Sequence, residues 1–124
     1  MTPPKSTKRI LIIDDEDLML ELFQGFLHEA GFEAVLAKNT TEALKEMGKN
    51  KINAVFLDLG LDGEDGLAFL PKLKALYASV PVVILTGVGY DDIKIKEALA
   101  SGASGYFSKE TGLENVIPLL ERLV

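Results

Sequence analysis

Val55-Phe-Leu-Asp58-Leu-Gly-Leu-Asp-Gly-Glu-Asp-Gly66 is the stretch on which the reading of this chain turns. Val55 to Leu57 read as a buried strand, and the Asp58 carboxylate falls where that strand runs out. Polar and acidic turn residues follow, and then an amphipathic helix begins. An acid at the carboxyl end of a central strand opens into the crevice where parallel α/β sheets hold their ligands. The same acid also suits a plain turn or a local hydrogen-bond acceptor. The other strand ends decide between the two.

Upstream, Arg9-Ile-Leu-Ile-Ile13 is an apolar, mostly β-branched run of strand length, and it reads as an interior strand. Asp14-Asp15-Glu16-Asp17 ends it, and such acids suit the first turn of a helix. Leu18, Leu22, Phe26 and Ala30 then recur at helical spacing, with Gly31 as the stop. Phe32 to Ala37 reads as a second strand. Thr40 or Thr41 caps a helix to about Met47, with Ala43, Leu44 and Met47 as its apolar stripe. A loop over Gly48 to Lys51 leads to the third strand, Ala54 to Leu57, where Asp58 stands at the end.

Downstream, Gly66 to Tyr77 forms a helix with Leu67, Leu70, Leu73, Leu76 and Tyr77 facing in. Pro71 predicts a kink or a late start there. Pro81-Val-Val-Ile-Leu85 is a fourth strand, ended by Thr86-Gly87. Asp91 or Asp92 caps a helix to about Ala100, with Ile95, Ala98 and Leu99 inward. Gly105-Tyr-Phe-Ser108 is a short fifth strand, followed by Lys109. Thr111 caps a last helix carrying Val116, Ile117, Leu120 and Leu123, with a kink expected at Pro118. Five βα repeats of buried strands mean an α/β, doubly wound parallel sheet with helices on both faces. The size suits the flavodoxin-like order 2-1-3-4-5, whose switch point lies between strands one and three.

The totals fit this picture. The 124 residues, 48% hydrophobic and 26% charged, make one domain with one core. Residues 1–8 read as a flexible lead-in and residues 9–124 as the domain. The net charge of -6 argues against a nucleic-acid-binding surface of the domain's own. The absence of cysteine removes disulfides, thiolate metal sites and a cysteine nucleophile. The basic start lacks the apolar segment of a signal peptide, and no run approaches membrane-helix length. A soluble, cytoplasmic protein with no membrane contact is the expectation.

In that topology the strand ends bring Asp14, Asp15, Asp58, Thr86 and Lys109 to one crevice. Carboxylates so placed repel each other, and a hard divalent cation with oxygen ligands is the natural compensation. Mg²⁺ prefers one or two carboxylates, waters and a phosphoryl oxygen. Lys109 supplies a positive charge and Thr86 a hydroxyl donor. Together they suit a tetrahedral, multiply charged group beside Asp58, and hence phosphoryl transfer. An aspartate can itself accept the group as an acyl phosphate.

The set Leu-Ile-Ile-Asp14-Asp15-Glu16, Val-Phe-Leu-Asp58-Leu-Gly-Leu, Val-Ile-Leu-Thr86-Gly and Gly-Tyr106-Phe-Ser-Lys109 resembles the receiver domain of two-component response regulators, over about residues 8–124. The resemblance implies that Asp58 takes a phosphoryl group from a sensor histidine kinase or a histidine phosphotransfer protein. It implies Mg²⁺, which Mn²⁺ can replace, on Asp15, Asp58 and the Gly60 carbonyl, with Asp14 acting through water. It implies that Lys109 contacts the phosphoryl oxygens, that Thr86 moves toward them, and that Tyr106 rotates inward. The switched face is then the fourth helix, fifth strand and fifth helix, with phosphorylation-dependent homodimerisation as one use of it. Such a domain is not an enzyme beyond its own phosphorylation and dephosphorylation.

Three departures from the family pattern stand out. Asp62 replaces a common proline, which predicts a more mobile and more acidic loop. Glu110 replaces another, so the Lys109–Glu110 bond is expected to be trans. Gly60 and Val88 carry no polar side chain to orient a hydrolytic water, which predicts a slowly hydrolysing phosphoaspartate. Two alternatives stay open: a degenerate receiver that binds partners without phosphorylation, and a small aspartyl-phosphate phosphatase. The phosphatase would need a second acid where Gly60 stands. His28 lies off the expected inner stripe and reads as a solvated residue.

Overall fold

In the computed structural model, residues 7–61, 63–87 and 92–124 are described. The strands are β1 Arg9–Ile13, β2 Glu33–Ala37, β3 Ala54–Asp58, β4 Val82–Thr86 and β5 Gly105–Ser108. The helices are α1 Asp17–Glu29, α2 Thr40–Lys49, α3 Gly66–Leu76, α4 Asp92–Ala100 and α5 Val116–Leu123. A short 3-10 turn, Leu113–Asn115, precedes α5. All pairings are parallel, in the order β2-β1-β3-β4-β5. The expected flavodoxin-like sheet is therefore the one formed.

β1, β3 and β4 are apolar on both sides because helices cover both faces. On one face Leu11, Ile13, Val55, Leu57 and Ile84 pack against Ala43, Met47, Phe69, Leu73 and Ala98 of α2, α3 and α4. On the other, Ile10, Ile12, Phe56, Val83 and Leu85 meet Leu20, Phe23 and Leu27 of α1 and Val116 and Leu120 of α5. The Phe23 and Phe56 rings sit 5.4 Å apart between centroids. The register pairs Ile13 with Leu57, Asp58 with Leu85 and Thr86 with Ser108. The carboxyl ends of β1, β3, β4 and β5 thus open on one edge.

Several local expectations are corrected. The buried stripe of α1 is Leu20, Phe23 and Leu27, whereas Leu18 and Leu22 are exposed. α2 runs on to Lys49, and its cap is Asn39, whose side chain accepts the Glu42 N–H at 2.8 Å, not Thr40 or Thr41. Leu44, Leu76 and Leu99 lie outside the core. α3 starts at Gly66 under an Asp65 cap and continues past Pro71, so its start is not late. Thr111 does not cap α5; its N–H donates to the Ser108 carbonyl. Pro118 falls in the first turn of α5, where a missing N–H leaves no helical bond unmade, so it does not interrupt the helix. Gly31 has φ +89° and ends α1 as expected. No peptide bond among the described residues is cis, which includes Lys109–Glu110. Most of the lead-in, Asp62, Val88 and the alternative cap Asp91 lie outside the described residues.

Candidate functional site

Asp14 is the residue after β1 and is fully buried. Its N–H donates to the Ala37 carbonyl at 3.0 Å, which prolongs the β1–β2 ladder and fixes where the side chain leaves the sheet. Oδ1 accepts the Glu16 N–H at 2.9 Å. Oδ2 makes an ionic contact of 2.8 Å with Lys109 Nζ, without hydrogen-bond geometry to any donor among the described residues. Burial pushes the Asp14 carboxyl up to about 6. Lys109 and the Glu16 N–H pull it down, while the neighbouring charge of Asp58 adds to the rise.

Asp58 is the last residue of β3 and is 6% exposed. Its two oxygens are held from different sides. Oδ1 accepts the Gly60 N–H at 2.8 Å, and Oδ2 accepts from Lys109 Nζ at 2.8 Å. Close packing behind it restricts position 66. A Cβ on Gly66 would come 2.7 Å from the Asp58 carbonyl oxygen and 2.8 Å from Leu59 Cα. Only glycine lets α3 begin hard against the end of β3.

Lys109 follows β5, and its N–H donates to the Thr86 carbonyl at 2.7 Å. This bond seats its side chain beside β4. Nζ touches Asp14, Glu16 and Asp58 at 2.8, 2.9 and 2.8 Å. Burial works against the ammonium charge, but the three carboxylates outweigh it and hold Lys109 above the ordinary lysine range. Thr86 is buried, and its hydroxyl donates a long bond of 3.4 Å to the Phe107 carbonyl.

The strand ends thus bring several of the expected residues together. Asp14, Asp58, Thr86 and Lys109 meet at the switch-point edge, with Gly60 bonded to Asp58. Asp15 joins them in a set with Asp14, Glu16 and Asp58, whose ligand oxygens all lie within 4.8 Å of one another. Tyr106 stands apart, half exposed on β5. Glu16 is the residue whose role at the site went unread. Its position in the sequence suits a first-turn acid, yet its carboxylate reaches Lys109 and its N–H holds Asp14. Its place directly after the two aspartates was the available signal. His28 is exposed. In the connection from β3 to α3, Glu64 and Asp65 each bond a helix N-terminus.

Asp14, Asp15, Glu16 and Asp58 gather four carboxylates, three of them on the Lys109 ammonium, which leaves net negative charge, and Asp14 Oδ2 is a buried oxygen without a hydrogen-bond donor among the described residues. All donors are hard oxygens. This set fits a small divalent cation such as Mg²⁺.

A doubly wound α/β sheet with this edge belongs to the flavodoxin-like class. The chain itself belongs to the response regulator receiver domain family, whose model matches residues 10–121. It is 35% identical over 115 residues to a putative response regulator NtrX-like protein of Rickettsia felis, covering 91% of this chain and 24% of the relative. It is 33% identical to the nitrogen assimilation regulatory protein NtrX of Azorhizobium caulinodans, covering 91% of this chain and 25% of the relative. The chain thus spans about a quarter of the length of these curated relatives. Among solved structures, NtrX from Brucella abortus superposes with a TM-score of 0.88 at 31% identity, over 94% of this chain and 26% of that one. A two-component response regulator from Clostridium difficile gives 0.87 at 30%, over 94% and 95%. The chemotaxis protein CheY4 of Vibrio cholerae, at 23% identity and a TM-score of 0.88, shares the fold, over 96% of this chain and 100% of that one. No helix among the described residues is long and apolar enough to cross a membrane.

Proposed function

We propose that this chain is a phosphoacceptor domain that takes a phosphoryl group onto Asp58 from a phosphohistidine of a sensor histidine kinase or a histidine phosphotransfer protein. The observation that carries the reading is Asp58 Oδ2 at 2.8 Å from Lys109 Nζ, at the edge where the carboxylates converge. An Asp58 oxygen attacks phosphorus and forms the new P–O bond. The P–N bond breaks with its electron pair staying on the imidazole nitrogen, which takes a proton from water as the ring leaves. Lys109 already stands beside the attacking carboxylate and follows the charge onto the phosphoryl oxygens. The Thr86 hydroxyl, which donates a long bond of 3.4 Å to the Phe107 carbonyl, is the donor that turns to the phosphate.

Mg²⁺, or Mn²⁺ in its place, held by Asp15, Asp58 and the Gly60 carbonyl with Asp14 acting through water, would neutralise charge on the transferred group. Tyr106 then moves from its exposed position toward the core. The change alters the face of α4, β5 and α5, including the exposed Ile93 and Leu99. Self-association through that face is one output. In this reading residues 9–124 are the working domain. It acts in the cytoplasm, on a protein partner and not on nucleic acid or lipid, and its only chemistry is on itself.

Gly60 offers no side chain to orient water, so the phosphoaspartate decays slowly. After removal of the donor, a half-life of minutes or longer by intact mass supports this, and loss within seconds contradicts it. The test of the reading itself is phosphorylation of the chain by a small phosphodonor with Mg²⁺, lost in Asp58→Asn.

A further inference from the structure

The β3–α3 loop carries a contact that the proposed phosphoryl chemistry does not use. Glu64 lies between Asp58 and α3, and its carboxylate reaches across to the N-terminus of α2. Oε1 accepts the Thr40 N–H at 3.0 Å, and Oε2 accepts from the Thr40 hydroxyl. Thr40 is the first residue of α2, so its N–H has no partner inside the helix. A carboxylate there also meets the positive end of the helix dipole. Asn39 caps Glu42 from within the chain's own turn, which leaves Thr40 for a ligand from elsewhere. Glu64 supplies it from 24 residues away.

The contact restrains the part of the loop that carries the candidate site. The Glu64 N–H donates to the Leu61 carbonyl at 3.2 Å, and Leu61 is buried in the same core cluster as Ala43 and Met47 of α2. The next residue, Asp65, caps α3 through Leu67 and Ala68 at 3.0 and 3.3 Å. The loop is therefore fixed to α2 at Glu64 and to α3 at Asp65. Between Asp58 and these anchors stands Gly60, whose N–H holds Asp58 Oδ1 and whose carbonyl is the oxygen assigned to the cation.

We propose that Glu64 is a positioning residue for the cation site: by clamping Thr40 it fixes the turn that presents the Gly60 carbonyl, and so sets how tightly the carboxylate cluster holds a divalent cation. The inference rests on the cation reading given under the proposed function. It assigns to Glu64 no contact with the cation or with phosphate.

The test is calorimetric titration of the unphosphorylated chain with MgCl₂. Glu64→Ala and Thr40→Val are each expected to raise the Mg²⁺ Kd by about tenfold, as loss of an outer-shell support does. Because they break one contact, the double variant should bind no more weakly than the poorer single variant. Thr40→Ser keeps the hydroxyl and should bind like the parent chain. The Gly60 amide resonance of the metal-free protein should shift in the first two variants and not in Thr40→Ser. Unchanged Mg²⁺ affinity in both single variants, with only a lowered Tm, would make Glu64 a plain helix cap and overturn the proposal. Should Glu64→Ala not fold, Thr40→Val carries the same test. A parent chain that binds no Mg²⁺, or an Asp58→Asn variant that binds it equally well, sinks the cation reading itself and this proposal with it.

Discussion

Lys109 Nζ lies 2.8 Å from Asp58 Oδ2, and the same ammonium contacts the buried Asp14. One cation thus makes two nearly inaccessible carboxylates tolerable at a sheet edge. Its removal leaves charge buried without a partner. Lys109→Met should cost about 3 kcal/mol of stability near pH 8 in the absence of divalent cation. The loss should shrink near pH 5, where Asp14 can take up a proton. Urea unfolding at the two pH values measures both, and equal stability of variant and parent at pH 8 would show that the carboxylates do not depend on the lysine.

Asp14 gives the chain a signed pH dependence. Its carboxyl rises from 3.8 to about 6 on folding, so the folded chain keeps a proton that the unfolded chain releases in that window. The stability from this group is full below pH 3.8 and is lost as pH rises through about 6. A rise of this size corresponds to on the order of 3 kcal/mol. Asp14→Asn should therefore be more stable than the parent at pH 7, and the advantage should vanish toward pH 4. A variant less stable than the parent at pH 7 would contradict the assignment.

Gly66 tests how closely β3 and α3 must approach. The clash of a Cβ with the Asp58 carbonyl oxygen and Leu59 Cα involves backbone atoms that cannot turn aside. Gly66→Ala should destabilise by about 1–3 kcal/mol, even though alanine is the better helix former. It should also slow modification of Asp58, because relief of the clash moves that residue. Thermal unfolding and a phosphorylation time course read the two effects, and an unchanged Tm would show that the approach is looser than these distances.

Tyr106 is half exposed while Thr86 is buried and weakly bonded. Phosphorylation should bury the Tyr106 ring, seen as protection of Tyr106 from iodination in peptide mass maps. Thr86→Val should still accept the phosphoryl group but leave Tyr106 as reactive as before. Protection of Tyr106 in phosphorylated Thr86→Val would break the proposed link between the two.

The architecture was legible because strand and helix periods alternate cleanly and each strand ends on, or is followed directly by, a polar residue. Asp14, Asp58, Thr86 and Lys109 needed only the strand order to be brought together. What was misread is rotation and capping. α1 carries two apolar rows, and Leu18 lies roughly opposite Leu20 around the helix. Which row turns inward depends on how the chain leaves β1, which the Glu16 bond to Asp14 sets. Asn39, Thr40 and Thr41 are all capping residues in sequence, and only the backbone distinguishes them. The Glu64–Thr40 contact joins residues that no local pattern relates.

The central claim is that Asp58 accepts a phosphoryl group with help from the cluster around it. Intact mass after incubation with acetyl phosphate and Mg²⁺ tests it most directly. The account predicts one added phosphoryl group, dependent on Mg²⁺ and absent in Asp58→Asn. A folded parent chain that gains no mass, or an Asp58→Asn variant that gains the same mass, would contradict it.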